Sequence, residues 1–418
     1  MKYGNISFSG RQFTNLGDIA LIHIVDQIYK EMGITDIVYI DYRELDTYQN
    51  SFEEIVLPIC FPLIAYHTGG ICKMISECIR PIFLGLSIPR QWLSSEEVVY
   101  LKKYEPIGCR DEITYNTIRK YNIECWLNGC MTIAMSPMDN WRRVTPDRII
   151  AVDVPSYLRS RLLNVYKGKT VDFFSNEICE EDPEQIKDKM LERYRFYYEN
   201  AAIIVTARLH CASPAIGMGI PTVFVPAKNT IRFAWFDKIV KVYCYDEMDN
   251  IDWYPRVVDI TYIKEKILQN AKRIIGFEKE SFNYMSEISR YYLDREKPNH
   301  YYAEGFDDAV EYLNRFSNSS DSFLYAIWGL TDLSEMIFKY ISDEFPNAKL
   351  KYVFDSYRRV EFHGCLSIDI SEIKNDDLEG VCIFVTAFSA TDFAKKWFND
   401  KCIRDYCLCY DYWYSTLH

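Results

Sequence analysis

Histidine is scarce in this chain, with six residues in 418, so a reaction that needs an imidazole has few places to find one. Long apolar runs are absent. No stretch approaches the roughly 20 residues that a membrane-spanning helix needs, so no transmembrane segment is expected, although peripheral membrane association stays open. No basic segment followed by an apolar core opens the sequence, and a signal peptide is not expected. Cysteine is plentiful, at fourteen, yet it lacks a frame. Only Cys407 and Cys409 are close together, and no Cys-x-x-Cys pair has the spacing of a zinc site. Most lie in apolar runs, as Cys60, Cys109, Cys244 and Cys382 do, where a free thiol behaves as a small hydrophobe. Bound metal and disulfides are therefore not expected, and the expected compartment is the reducing cytoplasm. Positive charge is in deficit. Lysine and arginine total 48 against 60 acidic residues, a net charge of −12, which argues against nonspecific nucleic-acid binding. A local group of arginines can still hold an anion inside an acidic protein.

What is present is the make-up of a folded chain, 49% hydrophobic and 26% charged, too long for one typical core. Residues 1–140 alternate strand and helix signals. Tyr3 to Phe8 reads as a strand, Asp18 to Met32 as a helix with Ile19, Ile22, Ile24 and Ile28 on its apolar side, and Ile37 to Ile40, Glu54 to Pro58 and Ile82 to Leu86 as short strands. Pro106 to Arg110 reads as a strand entering a helix near Asp111 and Glu112. A boundary at Arg142 to Asp147 opens a second series over 145–275, with strands at Arg148 to Val154, Ala201 to Val205, Thr222 to Val225 and Val240 to Tyr245. Alternation of this kind implies βαβ units around mostly parallel sheets. Residues 276–316 read as a helical bracing segment, and Ser317 to Ser322 as a linker. A third unit, 323–418, starts with the strand Phe323 to Trp328 and continues with a helix at Leu333 to Ile341 and strands at Lys351 to Phe354 and Val381 to Val385. Its first turn carries one glycine, Gly329, where a dinucleotide fingerprint would have three. The expectation is a small Rossmann-like domain without tight cofactor binding.

Four strand-end segments could carry chemistry. In Asn15-Leu16-Gly17-Asp18 the carboxylate suits the start of a helix, and Asn15 and Asp18 could instead face a cleft and hold sugar hydroxyls. In Gly108-Cys109-Arg110-Asp111, Arg110 is placed to grip a phosphate or carboxylate with its planar fork, or to pair with Asp111 on the surface. Asn128-Gly129-Cys130-Met131-Thr132 is a turn whose amides could face the cleft. The fourth, Thr206-Ala207-Arg208-Leu209-His210, ends an apolar strand and enters a helix, and Lys228 follows the next strand. Carboxyl ends of adjacent parallel strands lie about 4.8 Å apart, and such edges bind ligands in open α/β sheets, with anions favoured at the helix start.

Taken together, Asn-x-Gly-Asp, Gly-Cys-Arg-Asp, Asn-Gly-Cys-Met-Thr and Val-Thr-Ala-Arg-Leu-His, followed by Gly-x-Pro and a lysine, resemble the polysaccharide pyruvyl transferase family over about residues 1–275. The segment departs from the family pattern at Ala207, where serine is common, and at Tyr66-His67-Thr68-Gly69-Gly70, which replaces an Asn-Gly-aromatic run. The resemblance implies an α/β protein with a GT-B-like pair of Rossmann-like lobes facing a cleft, an acceptor-side lobe over 1–140 and a donor-side lobe over 145–275, to which the chain adds its small C-terminal α/β domain.

It also implies a transferase that moves the enolpyruvyl unit of phosphoenolpyruvate onto a saccharide as a pyruvate ketal, in surface or capsular polysaccharide (exopolysaccharide) biosynthesis. The acceptor could be lipid-linked, and no cofactor is implied beyond phosphoenolpyruvate as co-substrate. Donor binding falls to Arg110, Arg208, Leu209 and Lys228, catalysis to His210 with Asp18, and acceptor binding to Asn15, Asp18 and His67. Phosphoenolpyruvate carries a phosphate and a carboxylate, so several fixed cations suit it. Proton delivery to its methylene carbon calls for a group with a pKa near working pH, and histidine is the usual one. A GT-B glycosyltransferase using a nucleotide sugar, and a non-catalytic saccharide-binding or scaffold protein, are the competing readings.

Overall fold

The computed structural model describes residues 2–8, 14–49, 54–60, 71–88, 92–179, 182–226, 230, 233–278, 282–295, 305–313, 315–316, 322–356, 359–387 and 390–409. They fall into two compact units, one up to residue 301 and one from residue 302 onward.

The first unit opens with β1 (Lys2–Ser7), β2 (Thr14–Asn15), α1 (Leu16–Glu31), β3 (Ile37–Asp41), β4 (Ile55–Ile59) and β5 (Ile79–Phe83). Four of these strands form a parallel sheet in the order β3-β1-β4-β5. Next come α2 (Ser95–Lys103), β6 (Ile107–Cys109), α3 (Glu112–Arg119) and β7 (Cys125–Leu127). Leu86 bridges to β6, donating to the Gly108 carbonyl and accepting from the Arg110 amide, both at 2.8 Å. That bridge sets the position of Arg110.

The second lobe comprises β8 (Arg148–Val152), α4 (Ser156–Val165), β9 (Val171–Phe174), β10 (Glu177–Ile178), α5 (Pro183–Asn200), β11 (Ala201–Thr206), α6 (Leu209–Gly217), β12 (Thr222–Phe224) and α7 (Ala234–Asp237), followed by α8 (Thr261–Ile275) and α9 (Phe282–Leu293). Its sheet is also parallel, ordered β12-β11-β8-β9. β4, β8 and β11 are apolar at successive positions and almost wholly buried, the pattern of strands covered on both faces. The mixed α/β class with parallel sheets expected from the alternation is the one observed.

Val240 to Tyr245 is not a strand. Among the described residues its ladder contact is a single bridge from Phe224 to Val242, in which the Tyr243 amide donates to the Phe224 carbonyl at 3.1 Å, while the Val242 amide donates to the Asp237 carboxylate at 2.8 Å.

α1 lies where the two lobes meet. It is buried almost all round, which suits a helix enclosed by neighbours rather than one with a solvent face. Asn15 caps it, its side chain accepting from the Gly17 amide at 3.0 Å. The two-residue strand β2 pairs antiparallel with β10 of the other lobe, Asn15 opposite Glu177, and the Asp26–Lys187 ion pair joins α1 to α5.

His23 on α1 is buried, and neither ring nitrogen has a hydrogen-bond partner. Burial, reinforced by Lys187, brings its pKa down from 6.5 to about 4. The folded value lies below the unfolded one, so this group's contribution is complete above pH 6.5 and is lost as the pH falls toward 4. The difference corresponds to on the order of 3 kcal/mol. His23→Leu should flatten the fall in thermal midpoint across that acid window. Parallel decline of both proteins would assign the acid sensitivity elsewhere.

The second unit contains α10 (Phe306–Leu313), β13 (Leu324–Trp328), α11 (Asp332–Glu344), β14 (Lys349–Phe354), β15 (Glu361–Phe362), β16 (Cys365–Leu366), β17 (Val381–Val385), α12 (Thr391–Asp400) and β18 (Tyr406–Leu408). Its parallel sheet runs β14-β13-β17-β18. Tyr325 and Ile327 face a core shared with Ile337 and Ile341, and Ala326 and Trp328 face another with Ala394 and Phe398. α10 contributes Ala309 and Leu313 to the first of these cores. The unit thus begins ahead of the serine-rich segment, and α10 packs on this sheet. Among the described residues no helix is long and apolar enough to cross a membrane.

Candidate active site

β11 ends at Thr206, whose side-chain oxygen accepts from the Arg208 amide at 3.0 Å, and α6 begins at Leu209. His210 is therefore in the first turn of α6, and only 8% of it is exposed. Gly17 makes this location possible. A Cβ on Gly17 would stand 2.0 Å from His210 Cβ and 2.6 Å from the His210 carbonyl oxygen. With no side chain there, the N-terminal ends of α1 and α6 close on each other, and Asp18 reaches His210 Nδ1 at 3.0 Å.

The backbone of His210 is held as firmly. Its carbonyl accepts from the Tyr194 hydroxyl at 2.9 Å and from Asn176 Nδ2 at 3.4 Å. The same Nδ2 donates to Asn15 Oδ1 at 2.9 Å, and the Asn176 carbonyl accepts from the Leu16 amide at 2.9 Å. Asn176, fully buried, ties the start of α1 to the start of α6.

From the N-terminal lobe comes Arg110, 1% exposed, with Nη2 at 2.9 Å from His210 Nε2. Guanidinium can only donate, so Nε2 accepts and the ring proton sits on Nδ1, directed at Asp18. Arg110 Nε and Nη1 are buried and have no partner. Asp111 does not pair with Arg110 on the surface. It caps α3 through the Thr114 amide at 2.8 Å and accepts from Ser87.

Cys130, fully buried in the turn after β7, brings Sγ to 3.8 Å from His210 Nε2. Thr132 Oγ1 lies 3.2 Å from that sulfur and 2.9 Å from Ser213 Oγ. Gly129 turns the chain there at φ +71°, with Trp235 and Tyr292 against it. Burial would raise the Cys130 thiol, but the Arg110 guanidinium, His210 and the Thr132 hydroxyl together bring it down to about 6. Burial would likewise lower His210, and the hydrogen bonds with Asp18 and Cys130 outweigh it, so its pKa is raised above the usual histidine value. The two neighbouring groups are thus shifted in opposite directions, the thiol downward and the imidazole upward.

Among the residues expected from sequence, Asp18, Arg110 and His210 converge despite their separation along the chain. Arg208 is engaged otherwise. Its guanidinium pairs with Asp153 at 3.2 Å and Glu177 at 2.8 Å. Asn15 uses its side chain on the α1 cap and on Asn176, and Leu209 is buried at the first position of α6. His67 and Lys228 lie outside the described residues. Sequence reasoning missed Asn176 and Tyr194, which carry no motif, and saw in Cys130 and Thr132 only a turn. A surface depression of about 870 Å³ lined by Asp46, Gln49, Lys73 and Glu77 among others shares no residue with this cluster.

The profile of the polysaccharide pyruvyl transferase family matches residues 15–229, a span that contains every member of the cluster. The chain belongs to that family, a family of transferases, and its work is pyruvyl transfer in polysaccharide biosynthesis, with a saccharide as acceptor. No curated protein matches the chain. Among solved structures, a functionally uncharacterised Klebsiella pneumoniae protein is similar at 17% identity, covering 54% of this chain and 83% of the other, with a TM-score of 0.36. S. aureus MnaA bound to UDP is similar at 9% identity, covering 75% of this chain and 97% of the other, with a TM-score of 0.32.

Proposed function

We propose that the chain transfers the enolpyruvyl unit of phosphoenolpyruvate to a saccharide and closes it as a pyruvate ketal. The observation that carries this reading is Arg110, a buried cation with two unpartnered N–H donors beside an imidazole oriented by a carboxylate. An unpaired buried charge is costly, and an anionic ligand relieves it. Phosphoenolpyruvate offers a carboxylate and a phosphate, and either drawn to Arg110 also frees His210 Nε2. Arg208, Leu209 and Lys228 complete the donor side in this proposal, and Asn15, Asp18 and His67 the acceptor side.

Nε2, once freed, takes up a proton, and His210 gives it to C3. The C2–C3 π pair becomes the new C–H bond and leaves positive charge on C2, shared by its oxygen. A sugar hydroxyl bonds to C2 and loses its proton to Nε2. Phosphate departs with the electrons of its C–O bond, leaving C2 cationic again, and a second hydroxyl closes the ketal as its proton passes to the phosphate. Atoms and charges balance without a cofactor. Asp18 holds the Nδ1 proton throughout, keeping the ring oriented and its charge favourable.

The function is tested by incubating the chain with phosphoenolpyruvate and a panel of nucleotide-linked and lipid-linked saccharides, reading phosphate release and mass gain on the sugar. Turnover of a nucleotide sugar alone, with no binding of phosphoenolpyruvate, would replace this reading with glycosyl transfer. Asp18→Asn should keep donor binding and lower turnover by roughly 10–10²-fold, the scale of one charge-assisted hydrogen bond. Because Asp18 raises the His210 pKa, the basic limb of the kcat profile should move to lower pH. A rise in sugar KM alone, with kcat and its pH profile unchanged, would make Asp18 a ligand for the acceptor and nothing more.

A further inference from the structure

Cys130 has a place in this cluster that the transfer steps above leave unused. Its sulfur is fully buried, 3.8 Å from His210 Nε2 and 3.2 Å from the Thr132 hydroxyl. The charged groups facing the pair are Arg110 from the end of β6 and Asp18 from α1. The other ionisable groups around the sulfur, Cys60 and Tyr292, are pushed up by burial and stay neutral. The Thr132 hydroxyl donating to the sulfur and the nearby Arg110 guanidinium therefore favour a thiolate over a thiol in the free chain.

Arg110 Nη2 occupies Nε2 while Arg110 Nε and Nη1 remain without partners. An anion that draws the guanidinium to itself vacates Nε2 and removes the cation that favours the thiolate, so the pair takes up one proton, shared by Sγ and Nε2.

We propose that Cys130 is the proton partner of His210, the two holding one mobile proton between Sγ and Nε2 that is delivered to the donor and recovered from the acceptor. This rests on the pyruvyl-transfer reading above. The S–H bond breaks as Nε2–H forms, leaving the thiolate. The Nε2 proton passes to C3 as the enol π pair forms the C–H bond, and the proton lost by the first attacking hydroxyl returns through Nε2 to Sγ. Electrons stay paired and no oxidant or reductant enters. Cys130 touches no reacting atom, so it is a positioning residue that sets the proton occupancy of His210. Its pKa of about 6, beside a raised His210, is the condition under which the two exchange a proton readily.

Far-ultraviolet thiolate absorbance of the full chain, titrated against Cys130→Ser as blank, tests the pair without any substrate. Cys130→Ala serves as blank if serine disturbs the packing. The difference should titrate near 6, and His210→Gln should move it upward. A wild-type midpoint at the ordinary thiol value of about 8.5 overturns the proposal. Phosphoenolpyruvate, its binding followed separately by thermal shift, should raise the wild-type midpoint, because a new anion disfavours the thiolate. Bound phosphoenolpyruvate that leaves the midpoint unmoved overturns the proposal and leaves the transfer reading standing. A low midpoint in a chain that binds no phosphoenolpyruvate overturns the transfer reading, and with it this use of the pair. In turnover, Cys130→Ala should lose about 10–10²-fold in kcat with donor KM kept, and one ionisation should vanish from the pH profile. An equal loss at every pH would reduce Cys130 to packing.

Discussion

His210→Gln should keep phosphoenolpyruvate bound within about tenfold, a difference of about 1.4 kcal/mol, while turnover at saturating donor falls by at least ~10²-fold. Binding survives because the charge that attracts the donor is on Arg110, whose spare donors are independent of the imidazole. Glutamine can fill part of the space and accept from Arg110 as Nε2 does, but it has no proton to give at neutral pH. The Asp18 carboxylate then faces an amide, and the pH dependence that comes from a raised His210 should disappear from kcat. Donor titration by calorimetry and single-turnover phosphate release separate the two effects. Lost binding with an undiminished rate at saturation would make His210 a holder of the donor, with the acid elsewhere.

Gly17→Ala should be almost as damaging, at a residue that touches no substrate. The added methyl would stand 2.0 Å from His210 Cβ and 2.6 Å from a backbone oxygen, far inside the ~3.5–4.0 Å of ordinary contact. Neither neighbour is the end of a flexible side chain, so α1 and α6 must move apart. Overpacking of this kind costs about 1–3 kcal/mol, occasionally more. Separation also stretches the 3.0 Å contact between Asp18 and His210. A thermal midpoint lower by several degrees and turnover reduced about 10–10²-fold are expected together, as for a lost charge-assisted hydrogen bond. An alanine variant with wild-type midpoint and rate would show that the close approach at Gly17 has no consequence.

Much of this was legible in the sequence, for identifiable reasons. Runs such as Ile203 to Val205 are apolar without alternation, and the small residues that follow mark the strand end, so the location of His210 at a helix start could be read directly. Arg110 could be read in the same way from Gly108 and the acidic start of α3. What could not be read is which side chains these groups would meet. Arg208 has the same local setting as Arg110, yet Asp153 and Glu177 take up its charge, and β10, which carries Glu177, is two residues long. No periodicity exists in two residues. Asn176, in the loop before β10, was silent for the same reason. α10 shows a helical period, but a period says nothing about which core will receive it, and Ala309 and Leu313 went to the C-terminal sheet. Val240 to Tyr245 had strand composition, yet its pairing with β12 stops at one bridge.

The contact between Gly17 and His210 has a consequence for the timing of activity during the life of the chain. Neither lobe alone holds the whole cluster. One brings the imidazole, and the other brings the carboxylate that raises its proton affinity, the guanidinium that guards Nε2, and the thiol beside it. A chain in which the helix ends have not met lacks the contacts of His210 with Asp18 and Arg110. On the proposed mechanism, proton delivery therefore waits for the contact between the ends of α1 and α6.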